Sequence, residues 1–174
     1  MNKILLFLFS LFPLLASAND FYIAKPGQQP AAIVVDTTDW TGVRLAARDL
    51  SADIGRVCGK AAPVLVVSSA NQPGHGHIIA GTLGKSKMIS NIVNAHKFDV
   101  RKLRGQWESY LIDVVDGNLV IVGSDKRGTI YGIYELSREM GVSPWYWWAD
   151  VPVKHQDHII YSNGRQNQPS PRVK

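Results

Sequence analysis

Apolar residues recur along this chain with two periods, and the two alternate. Ala31 to Val35 is a short apolar run, the pattern of a buried strand. Val43, Ala46 or Ala47, Leu50, Ile54 and Val57 then recur at three and four residues, one face of a helix. Asp36 to Asp39 precede this helix with cap-forming residues, and Gly59 ends it. Pro63 to Val67 is the next strand. Strand, helix and strand within about 35 residues make a βαβ unit, whose crossover is expected to be right-handed.

The pattern continues after a loop at Asn71 to Gly76. His77 to Ala80 predicts a short strand, Gly81 to Gly84 a turn, and Lys85 to Val93 a helix. Asn94 to Gly105 is polar and carries no clear period. Tyr110, Ile112 and Val114 then alternate with Leu111, Asp113 and Val115, and Leu119 to Val122 returns. Asp116-Gly117 between them predicts a hairpin turn, because glycine accepts positive φ without strain. Asp125 caps a second long helix with Ile130, Ile133, Leu136 and Met140 on one face. Gly141 stops it and Pro144 prevents its resumption. His158 to Tyr161 predicts a last strand, and from Ser162 the composition is that of a linker. The elements predict an α/β (α+β) fold, a mixed β-sheet with two main helices packed on it.

Composition changes this picture only at the N-terminus. Lys3, an apolar run from Ile4 to Leu15 and Ala16-Ser17-Ala18 predict a secretory signal peptide over residues 1–18, cleaved after Ala18. The run is shorter than the roughly 20 residues that span a bilayer. The mature chain is then expected outside the cytoplasm, periplasmic or secreted, with no membrane partner. Its single cysteine, Cys58, falls at an expected core position and can form no internal disulfide. The formal charge of +5 falls to +4 without Lys3, since 19 basic residues become 18 against 14 acidic ones. Apart from a modest cluster at Lys97, Arg101, Lys102 and Arg104, the basic residues are scattered. That is a solvated surface and not a nucleic-acid footprint.

Candidate chemistry is sparse. Gly81-Thr82-Leu83-Gly84-Lys85-Ser86 evokes a phosphate loop, but Ile79 stands where its first glycine belongs. His75 and His77 could share a metal ion, yet no further ligand is near in sequence. Ser68, Ser69 and Ser124 lack a nucleophile-elbow setting. Glu108, Asp125, Glu135 and Asp150 are carboxylates that no spacing pairs across one glycosidic bond. No cofactor or metal is predicted. Gly128 and Gly132 are unusual, since each glycine inside a helix costs about 1 kcal/mol against alanine. Two readings stay open: close packing on the domain's own sheet, or on another domain. Trp145, Tyr146, Trp147 and Trp148 are consecutive. Either two sides of that segment are covered or some rings face a partner.

Residues 123 to 153, GSDKRGTIYGIYELSREMGVSPWYWWADVPV, resemble the end of the N-terminal domain of glycoside hydrolase family 115. AGTLGKS at 80 to 86 and GQWESY at 105 to 110 agree with it. The resemblance covers essentially the whole mature chain. It implies exported, inverting xylan α-glucuronidases that release (4-O-methyl)glucuronic acid from glucuronoxylan. It also implies a domain like those preceding the barrel in several glycosidase families, here residues 19–161. Residues 162–174 would lead to a catalytic (β/α)₈ barrel beyond Lys174, so no catalytic residue carries over. Arg127, Tyr131, Trp145, Trp147, Trp148 and Asp150 would face that barrel or its substrate. A homodimer of the intact enzyme is left open. So are two other readings of the chain: a free-standing carbohydrate-binding module using exposed tryptophans, and a nonfunctional truncation product.

Overall fold

The computed structural model describes residues 20–68, 73–95, 98–162 and 166–168, with backbone alone for 147, 148 and 166–168. Residues 1–18, read above as a signal peptide, lie outside these residues. The elements, in order, are β1 (Phe21–Ala24), β2 (Ile33–Asp36), α1 (Thr41–Cys58), β3 (Val64–Val67), β4 (Ile78–Thr82), α2 (Lys87–Asn94), β5 (Tyr110–Val115), β6 (Asn118–Gly123), α3 (Lys126–Glu139), α4 (Tyr146–Ala149), β7 (Ile159–Tyr161) and β8 (Gln166–Gln168). Six strands form one mixed sheet in the order β3-β2-β4-β6-β5-β8, and β1 pairs with β7 in a second, two-stranded sheet. The strands β3, β2, β4 and β6 run parallel, while β5 and β8 are antiparallel to their neighbours. The expected mixed sheet with two main helices is therefore observed.

The central strands are buried on both sides, and their alternation divides the core in two. Ile33 and Val35 of β2, Ile78 and Ala80 of β4, and Leu119 and Ile121 of β6 point to the layer of α1 and α3. Val34, Ile79, Val120 and Val122 point the other way, under α2. This second core is completed by Phe98, Val100 and Leu103 from the stretch that carried no period. Three apolar residues in a turn cover a sheet without repeating at any regular spacing. The two-stranded sheet closes the first core, with Phe21 and Ile23 of β1 and Ile159 and Tyr161 of β7 all buried. Strand β1, preceded in sequence by the signal-like segment, had no pattern of its own.

Turn chemistry fixes the elements at their ends. Asp116 and Gly117 both have positive φ, 47° and 67°, as a two-residue hairpin turn requires. Gly59, at φ 80°, ends α1. Gly141, at φ 92°, follows α3 and donates to the Arg138 carbonyl, while Val142 donates to Ser137. Within the stretch read as a linker, Gln166–Gln168 pairs with β5 as an edge strand.

Three expectations are corrected. Residues 36–39 do not cap α1, whose N-cap is Trp40 with no side-chain hydrogen bond. Asp36 and Asp39 instead join elements. Asp36 accepts from the Thr38 amide and hydroxyl and, across the fold, from the Met88 amide at the start of α2. Asp39 accepts from the Thr82 amide and hydroxyl at the end of β4. Gly81 and Thr82 belong to β4 and not to the following turn, and Ser86 caps α2 through the Ile89 amide. Cys58 is not fully buried: at the last position of α1 it is half-buried and packs against the margin of the core, with its thiol 3.4 Å from the Lys60 carbonyl. The Glu135 carboxylate, one of those that no spacing paired, is largely covered and ion-paired with Arg138.

The open question of the glycines is settled by geometry. A Cβ on Gly128 would overlap the Ser109 carbonyl oxygen. One on Gly132 would lie 2.8 Å from Ile121 and 3.1 Å from Tyr110. One on Gly123 would overlap the Thr129 backbone. The helix packs on its own sheet at backbone distance. No helix among the described residues is long and apolar enough to cross a membrane.

Two outcomes follow for stability. Gly128→Ala gains about 1 kcal/mol of helix propensity, but the overlap with a backbone carbonyl dominates. A net loss of about 2 kcal/mol or more is expected in urea unfolding. Burial opposes ionisation of Asp36, but the amides of Thr38 and Met88 and the Thr38 hydroxyl outweigh it, holding the carboxyl below its ordinary value. A depressed folded value stabilises the protein above the unfolded pKa, and the gain is lost as pH falls through the folded one. Asp36→Asn should therefore lower the urea midpoint at pH 7, and the gap to wild type should close below about pH 4.

Candidate functional site

Helix α3 begins where three segments meet. The Asp125 carboxylate accepts from the Gly128 amide, 2.8 Å, as the expected N-cap. Its other oxygen accepts from the Glu108 amide, also 2.8 Å. This holds Glu108 at φ 51°, a left-handed conformation uncommon for a residue with a side chain. So placed, the Glu108 carboxylate meets the Arg127 guanidinium at 2.6 Å. That hydrogen bond and the carboxylate's charge raise Arg127 above its ordinary pKa.

The outward face of α3 continues from this pair. Tyr131 follows Arg127 by four residues, one helical turn on. Tyr134 and Arg138 lie further along, and Pro144 closes an open groove that Glu108, Tyr131, Tyr134 and Arg138 also line. The Tyr131 and Tyr134 rings are each 45% exposed. The Tyr134 hydroxyl donates to Asp49 of α1, 2.7 Å, and Leu45, one turn before Asp49, is 52% exposed. The exposed apolar surface thus spans both helices of the layer.

The electrostatics of this face are settled far from neutrality. Burial, and then the Asp49 carboxylate, push Tyr134 up to about 12. Burial, and then the Glu135 charge, push Tyr110 up to about 12. The Arg138 hydrogen bond lowers Glu135, and Glu135 in turn raises Arg138. Arg127, Arg138 and Glu135 stay charged and Tyr110 and Tyr134 stay neutral at pH 7. A general acid or base works best with a pKa near the operating pH, and these shifts lead away from it.

The aromatic block forms a single helical turn. Trp145 precedes α4, with its amide on the Ser143 hydroxyl, and its ring is 65% exposed. The Tyr146 ring lies 5.1 Å from the Arg56 guanidinium near the end of α1. A helical turn rotates consecutive side chains by about 100°, which is how adjacent aromatics can take different environments. The side chains of Trp147 and Trp148 lie outside the described residues. Asp150 ends α4 in the left-handed region at φ 47° and is exposed.

Of the residues singled out in the sequence, Arg127 and Tyr131 come together on α3. Trp145 and Asp150 sit on the next element, and neither hydrogen-bonds to Arg127 or Tyr131. Tyr134 and Arg138 were missed, although their three- and seven-residue spacing from Tyr131 was a usable signal. Glu108 had no such signal, because its role depends on a backbone conformation fixed by Asp125. His75 Nδ1 lies 2.6 Å from the Asp116 carbonyl, against the hairpin turn. Among the described residues no group of three or more His, Cys, Asp or Glu side chains could hold a metal ion.

Comparison with known proteins places this geometry in a family. The family model described as glycosyl hydrolase family 67 N-terminus matches residues 22–136. One solved structure is described as a family 115 4-O-methyl-alpha-glucuronidase with specificity for decorated arabinogalactans. It is 35% identical to this chain with a TM-score of 0.71, over 85% of this chain and 18% of that one. This chain thus spans about a fifth of that protein's length. A mutant Streptomyces plicatus beta-hexosaminidase is 16% identical with a TM-score of 0.47, over 89% of this chain and 25% of that one, a likeness too weak to carry an argument. No curated protein matches. The chain belongs to the glycosyl hydrolase family 67 N-terminus family, and its resemblance to the N-terminal domain of a family 115 glucuronidase holds in sequence and in structure.

Proposed function

We propose that this chain is the non-catalytic N-terminal domain of an exported glucuronidase that removes α-linked 4-O-methylglucuronosyl groups from a plant polysaccharide. One observation carries the reading: 35% identity and a TM-score of 0.71 to a 4-O-methyl-alpha-glucuronidase, over most of this chain and a small part of that protein. The α3 face adds support for a non-catalytic role, since the shifts at Arg127, Tyr134, Glu135 and Arg138 all lead away from neutral pH. Export rests on the signal-like pattern of residues 1–18. The polymer is read as glucuronoxylan from the family resemblance, while the solved relative is described with decorated arabinogalactans. The domain's role is then architectural, as a partner to a catalytic barrel in the same polypeptide.

The exposed Trp145 ring favours a second reading, a carbohydrate-binding module, because a flat aromatic face suits the apolar face of a sugar.

Two measurements separate these readings. The 174-residue chain, incubated with aldouronic acids and with 4-O-methylglucuronosylated arabinogalactan, should release no uronic acid; release would overturn the non-catalytic assignment. Titration with xylan oligosaccharides should give no saturable change in tryptophan fluorescence. A saturable change that Trp145→Ala removes would instead establish the binding module.

A further inference from the structure

We propose that residues 1–18 are removed before β1 docks on β7, so that leader cleavage and closure of the first core are ordered steps; the inference rests on the export reading above. In the cleavage step water adds across the Ala18–Asn19 peptide bond, leaving a carboxylate on the leader and a free amine on Asn19. Only Asn19 and Asp20 separate this bond from β1. Two residues of fully extended chain span at most about 7 Å. A peptidase holds its substrate extended on both sides of the bond it cuts, so Phe21 and Tyr22 must enter its cleft as well.

In the folded protein β1 is out of reach of such a cleft. Phe21 pairs with Tyr161 and Tyr22 with Ile160, antiparallel. Phe21, Ile23 and Ala24 are buried, as are Ile159 and Tyr161. The Ile23 carbonyl accepts from the Ala31 amide, 2.8 Å. Ile23 lines a small cavity with Leu136 and Met140, at the end of α3. Drawing β1 into a cleft would expose three buried apolar side chains and dismantle the two-stranded sheet. Susceptibility of a backbone to cleavage follows its burial and its hydrogen bonding.

The topology supplies the interval in which cleavage is open. Among the described residues β1 pairs with β7 alone, and β7 lies more than 130 positions later. The leader emerges first and β7 among the last segments, and a strand of four residues has no stability without a partner. Pairing across so long a stretch of chain is also slow to form. Until it forms, Phe21 is free to enter the peptidase; afterwards the same residue closes the core.

The test is cleavage of the leader-bearing 174-residue chain by a signal peptidase in detergent, with the new N-terminus read by mass spectrometry. One sample is refolded first, and another is diluted from urea straight into the enzyme. The refolded chain is expected to be cut about tenfold or more slowly than the unfolded one. A variant carries about six Gly and Ser residues between Asp20 and Phe21, which moves the bond up to roughly 20 Å further from β1. Refolded, it is expected to be cut as fast as the unfolded chain; circular dichroism confirms folding of both refolded forms. Equal rates for the refolded and unfolded chain, with Asn19 as the new N-terminus, overturn the ordering and leave the export reading standing. A slow rate that the insertion does not relieve overturns β1 docking as the cause. No cleavage after Ala18 in any sample overturns the export reading and the proposal with it.

Discussion

The contact between α3 and the β5–β6 hairpin depends on side chains that are missing. The Gly128 backbone lies against the Ser109 carbonyl, and Gly123 lies against Thr129 at a distance that admits no Cβ. This sets how closely the helix approaches the sheet and how it is rotated about its axis. With Gly128 and Gly132 turned inward, Arg127, Tyr131 and Tyr134 must turn outward. The helix-propensity cost of two glycines is thus offset by a close backbone contact, and the exposed face is its geometric complement. Any substitution that pushes α3 away would also move Arg127 from Glu108, since Asp125 ties both to one helix end.

Much of this was legible in the sequence, for identifiable reasons. The period-two alternation of Tyr110 to Val115 and the Asp116-Gly117 turn specify a hairpin locally, with no help from distant residues. The helices of α1 and α3 were readable because one face of each is buried and the other is not. The family followed from the segment around α3 and the tryptophans, which carries more distinctive residues than any other.

What escaped depends on contacts between distant segments. Strand β1 is four residues long and has meaning only against β7, more than 130 positions later. Phe98, Val100 and Leu103 cover the α2 side of the sheet from a turn, where no periodicity exists to betray burial. Asp36 and Asp39 sit where helix caps are expected, and composition supports that reading. Their carboxylates reach Met88 and Thr82 instead, partners more than forty residues away. The face along α3 was half visible: Arg127 and Tyr131 share a helical spacing, whereas Glu108 joins them only through an unusual backbone torsion.

The Asp36 carboxylate has a further consequence. Helices α1 and α2 leave the neighbouring parallel strands β2 and β4 toward opposite faces of the sheet. In open α/β sheets, the crevice at such a divergence is where anionic cofactors usually settle, against a helix N-terminus. Here the protein supplies the anion itself. A carboxylate tethered a few bonds from the sheet occupies the amide at the head of α2, and a free phosphate would have to displace a group held there at high effective concentration. At this divergence the chain fills the helix head from within, and the Asp36 carboxylate becomes a buckle that ties β2 to α2 and holds the layers together.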